Sequence, residues 1–553
     1  VTRIEVVTEG ILTRMLQDAP DLPGVGAVIF DEFHERSLNA DLGLALCLEV
    51  TDALRDDLIL LVMSATLDAG PVADVMRAPI LTSEGKSFDV EPRWLPKPMA
   101  KDMRFEVGMT DLIVSAFAEA HGSLLAFLPG EGEIRKTAAM LDGQTANVPV
   151  YPLFGAMDFK AQRAAVAPGK GRKIVLATSI AETSLTIPDI RIVVDGGRAR
   201  RARFDASSGM SRLITERVTR AEATQRAGRA GRVAPGVAYK LWTRGEEGAL
   251  AAFPPPEIEV GDLSAFALEL AMWGGEAHDM RFVTQPHAGR LEEARAVLRM
   301  LGALDDSARI TEHGKALARQ PLHPRLAHML VTAGDQAATL GALLAERDPM
   351  RGRGTDLALR MRAIADPAGF GDRVHRGTVQ RIRDEARRLK RTGKKNVLSL
   401  GAMAALAYPD RIGLRRDGDA PRYVLSGGKG AVLPQGDALV GQRLIVATDL
   451  DGDPREARIR QATTLAQDDL EGLFGDQMTW HDLCHWSRRK NRVLTRTQRR
   501  FGALILEDRA WKGAPADEIA HAMLDGVRHL GLRPSPAAAR LMKRAALMED
   551  GFA

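Results

Sequence analysis

The sequence predicts an α/β protein with two parallel-sheet domains in series, then a helical region and a smaller β-rich module. Three observations carry this. Short apolar runs bounded by polar residues recur between Val25 and Asp195, separated by helical stretches. Two proline-rich breaks, Pro92–Pro98 and Pro254-Pro255-Pro256, divide the chain where the pattern restarts and where it stops. The 553 residues are 45% hydrophobic and 27% charged, a balance that supports packed cores and excludes wholesale disorder. At roughly 100–200 residues per domain, such a chain folds as three to five domains.

Taken in order, Val25-Gly26-Ala27-Val28-Ile29-Phe30 ends in Asp31, and Leu58-Ile59-Leu60-Leu61-Val62-Met63 ends in Ser64. Runs this short suit strands buried on both faces, as in a parallel sheet, and the stretch between them is long enough for a helical crossover. Beyond the first break the pattern returns in Ser123–Leu128, Lys173–Thr178 and Arg191–Asp195. Polar residues stand at the ends of these runs. In open α/β sheets that is where ligands bind, so two such sheets side by side would form a cleft. From Pro256 to about Lys395 the spacing of Ala and Leu is helical. Tyr423-Val424-Leu425 and Arg443–Ala447, set among Gly, Pro and Asp, read as strands of a small β-rich module, and the tail after Asp517 returns to helix.

Lys and Arg number 76 against 72 Asp and Glu, a net charge of +4. That permits a nucleic-acid partner without demanding one, since distribution decides. No run approaches the ~18 apolar residues of a membrane span, so no membrane is expected. Val1 is not followed by a charged-then-apolar leader. Cys47 and Cys484, far apart in sequence, read as two free thiols in a reducing cytoplasm.

Three clusters can carry chemistry. Asp31-Glu32-Phe33-His34 closes a buried strand. A carboxylate there can hold Mg²⁺ through water, and the adjacent Glu can activate a water for attack on a γ-phosphate, although two acids after a strand more often form a solvated turn. Ser64-Ala65-Thr66 follows the next strand, where small hydroxyls can bond a neighbouring loop or merely cap the next helix. In Gln225–Arg232, Arg226, Arg229 and Arg232 recur every third residue with glycines between. Guanidinium forks suit phosphate oxygens and glycine permits close approach; the alternative is a solvated basic face.

Together these residues resemble the DEAH-box helicases of superfamily two, most closely the HrpB-like group. Thr8-Glu9-Gly10 with Arg14 is similar to the family's motif Ib, Asp31–His34 to motif II with Phe33 in place of Ala, and Ser64–Thr66 to motif III. Phe127–Gly130 with Glu133-Ile134 resembles motif IV, Ala177–Ile187 motif V and Gln225–Arg232 motif VI. The resemblance implies roles by position. Asp31 holds Mg²⁺ and Glu32 polarises the attacking water, both reaching the metal largely through water. His34 links that site to the facing domain, Ser64 and Thr66 couple hydrolysis to strand movement, and Gln225 places the water. Arg229 and Arg232 act as arginine fingers. Thr183 lies near the nucleotide, and Thr8, Gly10, Arg14 and Thr178 near the nucleic-acid backbone. Ser179 stands where relatives often have Asn, and Pro188 where many carry an acid.

The same resemblance implies two RecA-like domains, the first incomplete (1–96, then 97–256), a winged-helix domain (257–330), a helical bundle (331–400) and an HrpB-type C-terminal region (401–553). It implies ATP and Mg²⁺ as cofactors, a single strand of RNA as partner, movement in the three-prime to five-prime direction, and a monomer. One departure stands out. No Gly-x-x-x-x-Gly-Lys-Ser/Thr occurs; the nearest run, Gly85-Lys86-Ser87, has Ile80 at its start. The expectation is a helicase lacking the upstream phosphate loop, slow in ATP hydrolysis as written. The alternatives are a non-catalytic nucleic-acid-binding fragment and a DNA translocase of the same superfamily.

Outside the motor, Arg373–Lys395 carries ten Lys/Arg against two acids, read equally as a nucleic-acid contact or a solvated helix face. Arg488–Arg500 carries seven Lys/Arg and no acid, with Trp480, Trp486 and Phe501 nearby, and reads as an edge strand protected by charge more readily than as a single-strand track. His481, Cys484 and His485 lack a fourth zinc ligand nearby and read as unliganded side chains on a helix.

Overall fold

A computed structural model describes residues 3–64, 69–83, 88–145, 148–155, 157, 159–169, 171–182, 187–205, 210–350, 352, 354–390, 393, 397–451, 453, 456–531 and 534–549. Two units divide the chain, 1–318 and 319–553.

The first unit opens with the helix Glu9–Asp18 and the strand pair β1 (Ala27–Phe30) and β2 (Ile59–Val62), parallel, with Ala27 opposite Ile59 and Phe30 opposite Val62. The crossover is the helix Leu38–Ala53, capped by Ser37, whose hydroxyl accepts the Ala40 N–H at 3.0 Å. Gly43 on that helix lets the sheet approach: a Cβ there would lie 3.3 Å from the Phe30 ring. The expectation of strands buried on both faces is corrected here. Val28 and Phe30 are buried, but Ile29 is 56% and Ile59 65% exposed. Side chains alternate across a strand, and the helices pack on one face only.

The second sheet meets the expectation. Its strands β3 (Val90–Trp94), β4 (Ser123–Phe127), β5 (Val150–Leu153), β6 (Ile174–Ala177), β7 (Ile190–Asp195) and β10 (Gly236–Lys240) run in the order β3-β10-β7-β4-β6-β5, all parallel. Leu124 and Ala126 face one core with Met109, Ile113 and Leu176, while Leu125 and Phe127 face another with Val175 and Val193. Continuous apolar runs follow from burial on both faces. Val90–Trp94, within the block 1–96 by sequence, pairs with Gly236–Lys240 and so joins this sheet. Between β7 and β10, β8 (Arg198–Asp205) and β9 (Met210–Arg217) form an antiparallel hairpin in which Arg201 and Arg203 both pair with Glu216. The helices Ser264–Trp273, Ala288–Met300 and Glu312–Ala318 complete the unit.

In the second unit, helices between Pro324 and Ala407 share one core that includes Met329, Leu340, Ile364, Ile382 and Ala404. Arg325 forks onto Asp410, at 2.6 and 2.9 Å. Burial works against the Asp410 carboxylate, but the Arg325 charge and hydrogen bonds outweigh it and hold the group below its ordinary 3.8. A lowered carboxyl pKa gives stability that is complete above the unfolded value and is lost as pH falls through the folded one. Asp410→Asn therefore destabilises by about 2 kcal/mol at neutral pH. The gap between variant and parent should close in urea titrations run below pH 3.8. A gap independent of pH would contradict the pairing.

Strands β11 (Ile412–Arg415), β12 (Arg422–Leu425), β13 (Gly430–Val432), β14 (Leu444–Leu450) and β15 (Ala457–Thr464) close into a barrel in the order β11-β12-β13-β15-β14. Only the β13–β15 pairing is parallel. Next comes an antiparallel sheet of β16 (Thr479–Ser487), β17 (Arg492–Phe501) and β18 (Leu504–Ala510), then helices Ala516–Leu530 and Pro536–Glu549. Two expectations are corrected. His481, Cys484 and His485 lie on a strand, not a helix. The basic run forms the central strand of this sheet, not an edge, with Arg496 paired to Asp508 and Arg499 to Glu471 and Glu507. Among the described residues no helix is long and apolar enough to cross a membrane.

Candidate nucleotide and nucleic-acid site

The parallel register of β1 and β2 sets the chain after Phe30 beside the chain after Val62. Two backbone bonds fasten them: Met63 N–H donates to the Phe30 carbonyl at 2.8 Å, and Phe33 N–H to the Met63 carbonyl at 3.0 Å. Asp31, Glu32 and Ser64 thus meet at the carboxyl ends of neighbouring strands. Asp31 Oδ1 accepts the Glu32 N–H at 2.9 Å. Glu32 holds a left-handed backbone, φ 49°. For a residue other than glycine this strain of about 1–3 kcal/mol persists only where surroundings enforce it. Here Phe33 enforces it, being buried at 2% exposure with its ring edge-on to Phe30 at 6.1 Å. Phe33 in place of Ala is thereby an anchor for the turn.

His34 continues from that turn. Its Nδ1 lies 3.4 Å from Glu32 Oε2. Its Nε2 lies 3.0 Å from Nε2 of Gln225, across from the first sheet to the helix Arg220–Gly228. That helix starts from a capping box in which Thr219 and Glu222 satisfy one another's backbone N–H groups.

The three arginines beyond Gln225 part company. Arg226 is 1% exposed and bonds Glu182 Oε1 at 2.6 Å and Asp195 Oδ1 at 2.8 Å. Burial pushes the Glu182 carboxyl up, with Arg226 opposing. Arg229 is also buried and donates to the Glu182 carbonyl. Burial first, and the charge of Arg232 second, push its guanidinium down to about 10, while Glu32 pulls the other way. It stays charged at neutral pH, and Glu32 lies within its field. Arg232 is exposed. Gly231 is required where it stands: a Cβ there would lie 2.4 Å from the Phe88 carbonyl oxygen.

Arg226→Met leaves two buried carboxylates without their cation and should lower stability by about 3 kcal/mol. A denaturation midpoint unchanged from the parent would remove Arg226 from this structural role.

Not every expected residue joins this cluster. Thr66 and Thr183 lie outside the described residues. Thr8, Gly10 and Arg14 sit on or before the first helix, Thr8 and Arg14 exposed; burial raises the pKa of the Glu269 carboxyl, and Gln17 and Arg14 oppose that rise. Thr178 stands at the head of the turn that ends β6, without a side-chain capping bond. Among the described residues no group of three or more His, Cys, Asp or Glu is placed to hold a metal ion. The donors present, two carboxylates and the Ser64 hydroxyl, are hard oxygens that suit Mg²⁺ carrying most of its own water.

Residues 109–234 match the family model for the helicase conserved C-terminal domain. The ATP-dependent RNA helicase HrpB of Escherichia coli (strain K12) is 40% identical over 543 residues, 96% of this chain and 65% of that protein. The HrpA homologue of Haemophilus influenzae is 33% identical over 342 residues, 60% of this chain and 26% of that protein. The chain thus spans about 65% of the length of the HrpB relative. The crystal structure of the Escherichia coli DEAH/RHA helicase HrpB superposes with a TM-score of 0.78 at 39% identity, covering 96% of this chain and 67% of that one.

The chain belongs to the HrpB-like family of DEAH-box helicases. A second HrpB structure, described as a DExH-box NTPase, gives the same TM-score of 0.78 at 40% identity. For an HrpB-like chain, Glu182 and Asp195 are the residues that sequence reasoning missed. Glu182 lies inside the run similar to motif V, and Asp195 ends an apolar strand. Their pairing with Arg226 rests on a buried meeting of three separate segments.

Proposed function

We propose that this chain carries the hydrolytic and strand-gripping parts of an ATP-dependent RNA helicase of the DEAH type. One observation carries the reading: His34, next to the carboxylates after β1, touches Gln225, on the helix that leads into Arg229 and Arg232. Acid groups from one sheet and guanidinium groups from the other thereby face one cleft.

Asp31 and Glu32 would hold Mg²⁺ largely through water, and the ion when bound supplies neutralisation of phosphate charge. Glu32 accepts a proton from the attacking water, and Gln225 orients that water. Arg229 and Arg232 place positive charge where the γ-phosphate gains negative charge in the transition state. Ser64 and Thr66 couple hydrolysis to strand movement. Cleft closure with triphosphate and loosening after hydrolysis move the strand-end loops relative to each other. Thr8, Gly10, Arg14 and Thr178 then grip successive phosphates of a single strand. The setting is cytoplasmic, and the working form is a monomer built from the domains 1–96, 97–256, 257–330, 331–400 and 401–553, with the first boundary moved ahead of Val90–Trp94, which pairs in the second sheet.

Residues 1–553 contain no Gly-x-x-x-x-Gly-Lys-Ser/Thr loop. The chain alone should therefore hydrolyse ATP very slowly, and turnover should appear in a chain extended to carry that loop. Stimulation of that turnover by single-stranded RNA is the expected result. Stimulation by DNA alone would replace the reading with a DNA translocase, and none by either would leave a binding protein.

A further inference from the structure

We propose that a groove at the rim of the five-stranded barrel, within the second unit, binds a phosphorylated ligand of nucleotide size. The groove has a volume of about 740 Å³, within the range of small-molecule sites. Arg415, Arg416 and Arg443 line it, and Asp417 is the one carboxylate among the lining residues.

The arginines are held together by strand register. β11 and β14 pair with Leu414 opposite Leu444, and the Arg415 N–H donates to the Arg443 carbonyl at 2.9 Å. Arg415 and Arg443 are therefore side by side across an antiparallel pair. Like charges so placed repel and cost stability. Elsewhere in this chain arginines meet acids, as Arg325 meets Asp410. Among the described residues no ion pair involves Arg415, Arg416 or Arg443.

Arg443 is fixed by neutral acceptors: it donates to the Gln467 side-chain oxygen and, at 3.0 Å, to the Leu506 carbonyl. Its position is set while its charge is left uncancelled. Arg415 Nε is buried without a hydrogen-bond partner among the described residues. Such a donor is costly unless an acceptor arrives. Its Nη1 passes over Gly441, 3.9 Å from where a Cβ would stand. Three arginines lining one groove offer more forked donors than a single carboxylate can satisfy, a match for phosphate oxygens. Leu414, Val424 and Ile505 supply an aliphatic wall for a sugar or base.

The phosphate could belong to a free nucleotide or to the end of a nucleic-acid strand, and titration calorimetry on the whole chain separates them. The probes are adenosine monophosphate, adenosine, and a short single-stranded oligonucleotide with and without a terminal phosphate. Binding should require the phosphate, and Arg415→Gln and Arg416→Gln should each weaken it about tenfold, the scale of one charge-assisted hydrogen bond. Arg229→Ala should leave it unchanged, which sets this groove apart from the motor cleft. Arg416 is exposed, so its variant keeps the test alive if Arg415→Gln fails to fold. Preference for the mononucleotide assigns a free nucleotide; preference for the phosphorylated oligonucleotide assigns a strand end. Adenosine binding as well as its monophosphate, no binding of any probe, or affinities unmoved by both variants would overturn the proposal.

Discussion

Glu32→Gln abolishes ATP turnover in a chain extended to carry a phosphate loop, a fall of about 10²–10⁴-fold, while nucleotide affinity stays within about twofold. The reasons lie in the turn after β1. The glutamine keeps the size of the side chain and its reach to the attacking water but has no basicity. The left-handed backbone at Glu32 is imposed by Phe33 packing on Phe30, so it survives the exchange. Asp31 keeps its bond to the N–H of residue 32, so the proposed cation site would be left in place. Steady-state hydrolysis and fluorescent-nucleotide titration separate the two effects. Turnover within tenfold of the parent would deprive Glu32 of its role.

Arg229→Ala lowers turnover by about 10³-fold, the scale of a lost arginine finger. The side chain is buried beside Glu182 and lies in the field of Glu32, so its charge is held close to the acid end of the cleft. Desolvation lowers its pKa only to about 10, and the positive charge is present throughout the neutral range. Because Arg229 also bonds the Glu182 carbonyl, its loss should carry some cost in stability, so thermal unfolding is measured beside turnover. The contrast with Arg226→Met is the useful one. Arg226 should show a large loss of stability, Arg229 a large loss of rate. A fall in turnover of less than tenfold for Arg229→Ala would exclude the finger.

What the sequence made legible was local. Asp31, Glu32 and Ser64 could be placed because strand ends announce themselves as apolar runs that stop at polar residues. The parallel sheet of β4, β6 and β7 followed from runs buried on both faces. Spacing alone could not tell Arg226 from Arg229, because three residues put them on adjacent turns; the family resemblance singled out Arg229 and was silent on Arg226. Only the arrival of Glu182 and Asp195 from distant segments makes one structural. β1 and β2 looked buried on both faces because nothing local records whether a second layer packs on Ile29 and Ile59. The His481–His485 stretch read as helix, yet its pairing with β17, residue for residue from Thr479 to Ser487, makes it a strand. Trp486 packs against Gly526 of the following helix, where a Cβ would lie 2.5 Å from the indole. The parallel closure of β13 on β15 depends on a long-range pairing that no short pattern encodes.

The most direct measurement is a crystal structure of the extended chain with Mg²⁺ and a γ-phosphate analogue bound. If two lobes pinch one triphosphate, Glu32 and at least one of Arg229 and Arg232 lie within roughly 3 Å, directly or through one water, of that same analogue. An analogue seated against Asp31 and Glu32 with no guanidinium from Gln225–Arg232 in reach would contradict the shared cleft.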